Sequence, residues 1–139
     1  MIGMLSPDKM RLVMLDGSGA AVIAKEDVRG LDVKDRANDK VGEVDDLVID
    51  VSAGRVRLLK VGSGGVLGIG RDHRLVPVDV VESVAGDSIF LTAMKALVKS
   101  TPTWGDIDGE AFLTEVYRHY GCRPFWSEGY QEPDWIRSE

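Results

Sequence analysis

Residues 28 to 92 decide the fold, and they read VRGLDVKDRANDKVGEVDDLVIDVSAGRVRLLKVGSGGVLGIGRDHRLVPVDVVESVAGDSIFLT. Short runs rich in Val, Ile and Leu are separated by Gly, Asn, Asp and Ser, which is the pattern of closely spaced β-strands joined by turns. Many short strands of this kind are typical of small barrels, in which each strand packs one face on a shared core. The stretch therefore predicts an all-β domain, a small barrel, which we place at residues 26–100.

The longest strand candidate runs from residue 41 to residue 51. It does not keep one strict alternation of apolar and polar residues, and a β-bulge near Asp45 and Asp46 would restore the alternation. The tripeptide at 52–54, Ser-Ala-Gly, predicts a tight hairpin into a second strand that ends at Val61. Pairing of the two strands would bring opposite charges together on a solvated sheet face, namely Asp45, Asp46 and Asp50 with Arg55, Arg57 and Lys60.

Four further runs predict short strands, at residues 66–70, 74–78, 80–84 and 88–91. Pro77 lies in the second of them. Because proline has no N–H to donate to a ladder, this residue predicts an edge strand or the start of a strand.

The segments that flank the barrel have different patterns. Residues 1–25 contain two apolar runs, RLVML and AAVIA, joined by the turn-forming DGSG, which predicts a β-hairpin arm packed on the barrel or on a second chain. Residues 101–139 form a C-terminal extension. Within it, apolar residues at helical spacing predict one helix over about 108–120, with Asp106 or Asp108 as its N-cap and Gly121 at its end. An extended, aromatic tail follows.

The composition is that of a soluble globular domain. Hydrophobic residues make up 44% and charged residues 29% of the chain, and no apolar run is long enough to span a membrane. The single cysteine, Cys122, has no partner for an internal disulfide, so we expect a cytoplasmic protein. The net charge is −6, and the eight acidic and three basic residues after Thr103 contribute −5 of it. This lack of positive excess argues against a nucleic-acid partner.

Several pieces of the stretch at 28–92 together resemble the PRC-barrel family. They are the opening VRGLDV, the turn and strand DKVGEVDDLVIDVSAGRV, the segment GGVLGIGRDHRLVPVDVV, and the closing GDSIFLT, which is followed by a short helix and Thr101-Pro102. The similar region covers roughly half of the chain.

The resemblance implies a small β-barrel that acts as an adaptor. Barrels of this family occur in the cytoplasmic part of the photosynthetic reaction-centre H subunit and in the C-terminal domain of a ribosome-maturation factor, and they are thought to bind proteins rather than to turn over a substrate. This sequence lacks the transmembrane helix of the first and the N-terminal domain of the second, so we predict a stand-alone protein-interaction module.

Three other functions stay open as alternatives. One is an RNA- or ribosome-associated assembly factor, which would need a single exposed basic patch, formed by Arg55, Arg57, Lys60, Arg71 and Arg74. Another is a small-molecule-binding or enzymatic role, which would need a pocket. The third is an accessory protein for the assembly of a photosynthetic reaction centre or for its electron transfer.

No motif for catalysis, cofactor binding or metal binding is complete. The glycines of VGSGGVLGIG lack the spacing of a dinucleotide fingerprint or of a P-loop, so we assign them to barrel corners. The acidic and amide side chains at residues 35–43 lack the register of an EF-hand and predict a turn. His119 and Cys122 share a helix end, but two ligands do not make a zinc site, and no third group orients them as a nucleophile pair. We expect no enzymatic activity, no cofactor and no metal.

The aromatic residues are concentrated in the C-terminal extension, which holds eight of the nine. All eight lie in its last 36 residues, and a segment of this length cannot bury all of them within itself, so the extension must cover its own barrel or contact a second chain. Trp and Tyr provide large apolar anchors with one polar group, and closed two-fold dimers are the commonest oligomers. We therefore predict a homodimer whose interface includes Trp104, Phe112, Val116, Tyr117, Tyr120, Phe125, Trp126 and Trp135.

Overall fold

The computed structural model describes residues 12–66, 69–103, 107 and 109–136. In this part of the chain, strands dominate and two short helices follow them, which confirms the predicted all-β fold. The strands are β1 (Leu12–Met14), β2 (Asp32–Lys34), β3 (Lys40–Asp50), β4 (Arg55–Ser63), β5 (Asp72–Pro77), β6 (Val81–Ala85) and β7 (Ser88–Leu91). The helices are α1 (Lys95–Lys99) and α2 (Glu110–Tyr120), and single 3-10 turns occur at Ala24–Glu26 and Val78–Val80.

All the described strands belong to one sheet. Its order is β5-β4-β3-β2-β7-β6, and β1 pairs with β3 outside this order. The pairs are antiparallel except for β2 with β7, which are parallel. Among the described strands, β5 and β6 end the order and no ladder joins them, so hydrogen bonds do not close the sheet. Pro77 is the last residue of the edge strand β5, which confirms its predicted edge position.

β3 is the strand on which the sheet is built. It pairs with β4 along most of its length, with β2 near its start and with β1 at its end. In the ladder with β4, Val44 lies opposite Val61 but Asp46 lies opposite Lys60, so Asp45 is an extra residue. The predicted bulge near Asp45 and Asp46 is therefore confirmed.

The core combines residues from the strands with one face of α2. Its most deeply buried members are Val33, Leu47, Val48, Leu58, Leu59, Val76, Ile89 and Leu91 from the sheet and Leu113, Val116 and Tyr117 from α2. Gly121 ends α2 in the left-handed conformation, with φ of 71°, as the sequence predicted. α2 packs against β5, so it covers an edge of the open sheet.

The predicted pairing of the N-terminal hairpin arm is wrong. Leu12–Met14 pairs with the end of β3, with Leu12 opposite Asp50, and not with the second apolar run at residues 20–24. That second run lies outside the strands and leads into the 3-10 turn at Ala24–Glu26. The physical reason is that a two-stranded hairpin alone is marginal, whereas pairing with β3 buries Leu12 in the common core.

One further local prediction is wrong. The described residues of the run at 66–70 lie in no strand of the sheet, and Val66 and Ile69 make only an isolated bridge to each other. α2 begins at Glu110, close to the predicted start, with Gly109 in the N-cap position. The two aspartates predicted as N-caps, at 106 and 108, lie outside the described residues. The domain boundaries at residues 25 and 100 stay predictions.

Asp35 joins the β2–β3 turn to the start of α1. One carboxylate oxygen accepts hydrogen bonds from the N–H groups of Ala37 at 2.9 Å and Asp39 at 2.8 Å, and the other accepts from the N–H of Lys95 at 2.8 Å. Burial by itself would raise the pKa of Asp35, but the three N–H donors outweigh it and lower that pKa below its ordinary value. The acidic turn predicted from the sequence is thus a hydrogen-bonded corner.

Replacement Asp35→Asn is expected to destabilise the fold at neutral pH. The amide keeps one acceptor oxygen, so at least one N–H loses its partner, at a cost of ~1–3 kcal/mol in the free energy of unfolding. Because folding lowers the pKa of Asp35, its contribution is complete above the unfolded pKa of about 3.9 and is lost as the pH falls through the folded value. Urea unfolding at pH 7 and in acid checks this, and an undiminished difference between the two proteins in acid would contradict it.

Candidate functional site

The C-terminal tail that follows α2 packs on its own chain. Phe125 and Trp135 are buried in the main core, and Trp135 is only 1% exposed to solvent. The indole ring of Trp126 lies edge-on to the rings of Tyr117 and Phe125, with distances between ring centroids of 5.7 Å and 5.0 Å. These contacts connect the tail to α2 and, through the core, to the sheet.

An ionic cluster lies beneath the tail. The guanidinium group of Arg57, on β4, donates to Asp50 on β3 at 3.2 and 3.3 Å and also to Glu132 of the tail. It lies 4.7 Å from the centre of the Phe125 ring. Arg57 is 8% and Asp50 4% exposed. The predicted solvated charged face is therefore wrong for this pair, because the tail covers it.

Arg55 extends this cluster toward the 3-10 turn at Ala24–Glu26. Its guanidinium group donates to Glu26 at 2.8 Å and to Glu132 at 2.7 Å. The carboxylate of Glu26 is buried and also accepts the N–H of Val56 at 3.0 Å. Glu132 thus bridges two arginines of β4, so its carboxylate anchors the tail to the sheet.

Asp79 and Tyr130 form a second polar contact between the barrel and the tail. The Tyr130 hydroxyl donates to Asp79 at 2.7 Å. Burial raises the pKa of the Asp79 carboxyl above its ordinary value, although this hydrogen bond opposes the shift. Within the described residues, the other Asp79 oxygen, the Tyr117 hydroxyl and the Trp135 indole N–H are buried without hydrogen-bond partners. Apolar packing and the ionic cluster must therefore offset the cost of burying these groups.

The aromatic set predicted as an interface is mostly part of the chain's own core. Val116, Tyr117 and Trp135 have 1% exposure or less, Tyr120 and Phe125 are also buried, and Phe112 and Trp126 are partly buried. Trp104 lies outside the described residues. Contact of these side chains with a second chain stays a prediction, and it would require the tail to leave the barrel.

The basic residues considered for RNA binding do not present free charges on one patch. Arg55 and Arg57 pair with acids beneath the tail. Arg71 pairs with Glu43 and Asp45, and Arg74 pairs with Asp72. The fifth member, Lys60, lies opposite Asp46 in the β3–β4 ladder. Because these partners neutralise most of the set, the geometry gives RNA binding little support.

The most exposed apolar feature of the described chain is the tip of the β4–β5 connection. Val66 is 75% and Ile69 79% exposed. Their backbones exchange two hydrogen bonds, from Val66 N–H to Ile69 O at 3.0 Å and from Ile69 N–H to Val66 O at 2.9 Å. We call these two side chains the loop tip. Sequence reasoning missed it because an apolar run was assigned to a strand, although the glycines on both sides are typical of a tight turn.

Arg71 holds the base of this loop. It donates to Asp45 at 2.7 and 3.0 Å, to Glu43 at 2.7 Å and to the carbonyl oxygen of Gly64 at 3.0 Å. The hydrogen bonds from Arg71 lower the pKa of both carboxyl groups, and His73 contributes at Asp45. A side chain at Gly65 would approach the Arg71 backbone to 2.9 Å, and φ there is +83°. The base of the loop is therefore held by the β3 bulge.

A cavity of about 440 Å³ lies beside this loop base. Basic side chains from three places on the chain line it, namely Lys40 at the start of β3, Arg71 before β5, and Lys95 and Lys99 of α1. Glu43 is the one carboxylate among its described lining residues. The cavity was not foreseen from the sequence, because its cations are up to 59 positions apart.

The two groups considered as a nucleophile pair have separate partners. The His119 ring nitrogen Nε2 lies 2.7 Å from the carbonyl oxygen of Leu97 and 3.2 Å from the hydroxyl of Ser100. The thiol of Cys122 lies 3.8 Å from the Tyr120 carbonyl oxygen, and burial raises its pKa to about 11. Such a thiol stays protonated at neutral pH, so it is a poor nucleophile.

Comparison with family models is consistent with this sheet and its connections. The model of the PRC-barrel domain matches residues 21–98. The chain belongs to the PRC-barrel family. This confirms the resemblance drawn from the sequence, and the PRC barrel suggests a small protein-interaction or assembly module. A search of curated proteins gave no match.

The PRC-barrel match includes the whole sheet from β2 to β7 and most of α1, whereas α2 and the tail lie beyond it. The loop tip, both basic residues of the ionic cluster and every lining residue of the cavity except Lys99 thus lie in the matched segment. Lys99 and Glu132 lie outside it. In the described part of the chain, no helix has the length and apolar character needed to cross a bilayer.

Replacement Arg57→Met is expected to lower the free energy of unfolding by ~3–5 kcal/mol, because Asp50 would remain buried without its cation. The double variant Asp50→Asn/Arg57→Met should recover part of this loss, since it removes the uncompensated charge. Arg118→Met is the matched control, because Arg118 pairs with Glu115 on an exposed face of α2 and should cost no more than ~1 kcal/mol. Urea unfolding measures all three, and equal losses for Arg57→Met and Arg118→Met would show that the cluster is not structural.

Replacement Trp135→Ala is expected to cost ~3–5 kcal/mol, because it empties a large buried site between the tail and the core. Trp126→Ala, at a partly buried position of the same tail, should cost clearly less. Thermal unfolding gives the stabilities, and limited chymotrypsin cleavage after Tyr130, which is followed by Gln131, reports release of the tail. A tail that is cleaved equally fast in both variants and in the unmodified protein would contradict its packing on the core.

Proposed function

We propose that this PRC-barrel protein is a non-enzymatic protein-interaction module and that its contact surface is centred on the loop tip. The observation that carries the proposal is the exposure of Val66 and Ile69 at 75% and 79%. Neighbouring apolar side chains that are exposed to solvent are typical of protein contact sites. Burial of each would contribute ~1.5–3 kcal/mol to association.

The contacts that hold the base of the loop support this role. Arg71 fixes the loop through both Asp45 and the Gly64 carbonyl oxygen, and the loop joins β4 to the edge strand β5. A loop that is held at its base loses less conformational entropy when a partner binds than a loop without such contacts, so more of the burial energy appears as affinity. The tip is therefore better suited to a stable contact than a loose loop of the same composition.

We further propose that a second copy of the chain occupies the loop tip, so that the protein is a homodimer. Two-fold symmetry would place the same surface of both copies in one contact, and each copy would contribute its apolar tip. The proposed setting is the cytoplasm, where a single free thiol such as Cys122 stays reduced. The absence of enzymatic activity is part of the proposal, and the separate partners of His119 and the raised pKa of Cys122 support it.

The double variant Val66→Ser/Ile69→Ser tests the loop tip. Sedimentation equilibrium over a range of concentrations should show a dimer for the unmodified chain and a dissociation constant raised at least about a hundred-fold for the variant, since 1.4 kcal/mol is a factor of ten. Ile23→Ser/Val51→Ser is the matched control, because it removes two exposed apolar side chains elsewhere and should leave the dimer intact.

Two outcomes would count against the proposal. A chain that sediments as a monomer at every concentration would contradict the homodimer. The tip variant Val66→Ser/Ile69→Ser and the control variant Ile23→Ser/Val51→Ser would then each be used to capture proteins from a cell extract, and the captured proteins would be compared. If the tip variant and the control variant capture the same proteins to the same extent, the tip is not the contact surface.

A further inference from the structure

The cavity beside the loop base gathers positive charge in an acidic chain. Lys40, Arg71, Lys95 and Lys99 line it, while the whole chain has a net charge of −6. At about 440 Å³ the cavity falls within the ~300–1,000 Å³ range of small-ligand sites. Six of its nine described lining residues are polar or charged, and four of these are cations, which suits a small anion better than an apolar molecule.

The carboxylates around the cavity neutralise some of these cations but not all. Glu43 pairs with Lys40 at 2.6 Å and with Arg71 at 2.7 Å. Outside the cavity lining, Lys40 also pairs with Asp32 at 3.4 Å and Arg71 with Asp45 at 2.7 Å. The Lys99 ammonium group lies 3.9 Å from Asp72. Among the described residues, no carboxylate lies within ion-pair distance of Lys95, although the charge of Asp35 acts on it from farther away.

The two least neutralised cations lie on one face of α1. Lys95 and Lys99 are four positions apart on a helix, which places their Cβ atoms about 5–6 Å from each other. Two ammonium groups at this spacing can contact two oxygens of the same anion. The Lys99 ammonium also donates to the hydroxyl oxygen of Ser63, so the Ser63 proton is free to point toward a ligand.

We propose that this cavity binds a small dianion, either a phosphate group or a dicarboxylate. Lys95 and Lys99 contact the anion and balance its two charges, and the Ser63 hydroxyl donates to one of its oxygens. Lys40 and Arg71 are held in place and neutralised by Glu43, Asp32 and Asp45, so they line the cavity without adding net positive charge. Glu43 repels an anion that approaches it, so the ligand lies on the α1 side of the cavity.

This inference is independent of the loop tip, because neither Val66 nor Ile69 lines the cavity. The loop that carries the tip nevertheless begins at the cavity, since both Gly64 and Arg71 line it. An anion held there would therefore lie beside any partner bound to the tip.

The full chain is titrated separately with inorganic phosphate, with succinate and with sodium chloride at matched ionic strength. The chemical shifts of the backbone amides, measured by NMR, report binding. We expect saturable shifts at Ser63, Gly64, Lys95 and Lys99 with phosphate, with succinate or with both, and sodium chloride should not reproduce them. Saturation by phosphate alone assigns a phosphoryl ligand, and saturation by succinate alone assigns a dicarboxylate. If both saturate, competition between them at the same amides shows one shared site.

Variants separate a defined site from general charge. Lys95→Gln/Lys99→Gln should weaken the saturable binding at least ten-fold. Lys25→Gln/Arg118→Gln makes the same change in net charge away from the cavity and should leave the binding unchanged. Shifts that sodium chloride reproduces, or equal affinity in the two variants, would overturn the proposal. The competition experiment on the unmodified chain needs no variant, so the proposal stays testable even if one variant does not fold.

Discussion

The ladder between β3 and β4 is the constraint on which the rest of the structure depends. Its one extra residue, Asp45, directs a carboxylate out of the ladder to the base of the β4–β5 connection, where it receives Arg71. On the far side of the bulge, five consecutive residues, 46–50, are buried. The same ladder brings Asp50 and Arg57 close together, so the ionic cluster, the fixed loop and the dense core have one common origin.

Much of the fold was predictable because its decisive signals are local. The break in alternation near Asp45 indicated the bulge, Pro77 indicated an edge, and the Gly121 position indicated the end of α2. The pieces that resemble the PRC barrel were local as well. The predictions that were wrong concern contacts between residues far apart in the sequence. β1 pairs with a strand some 36 positions away in place of its sequence neighbour, and only tertiary structure decides between two such partners.

The candidate sites were less predictable than the fold, and the reasons are physical. The burial of Asp50 and Arg57 depends on Glu132, which lies 75 positions after Arg57, so charge patterning on two strands could not reveal it. The concentration of aromatic residues correctly indicated that the tail must be covered. It did not identify the covering surface, and the structure shows the tail on its own chain. The loop tip was hidden because exposed and buried apolar runs look alike in sequence.

The anchoring of the tail by Glu132 has a consequence for the order of events during synthesis. The ribosome completes every strand of the sheet before it adds the residue that bridges Arg55 and Arg57. Until then, the nascent sheet carries an arginine and an apolar surface that its own strands leave uncovered, and such surfaces favour aggregation. Because the tail is synthesised after the sheet, it is placed to cover this surface as a late step of folding.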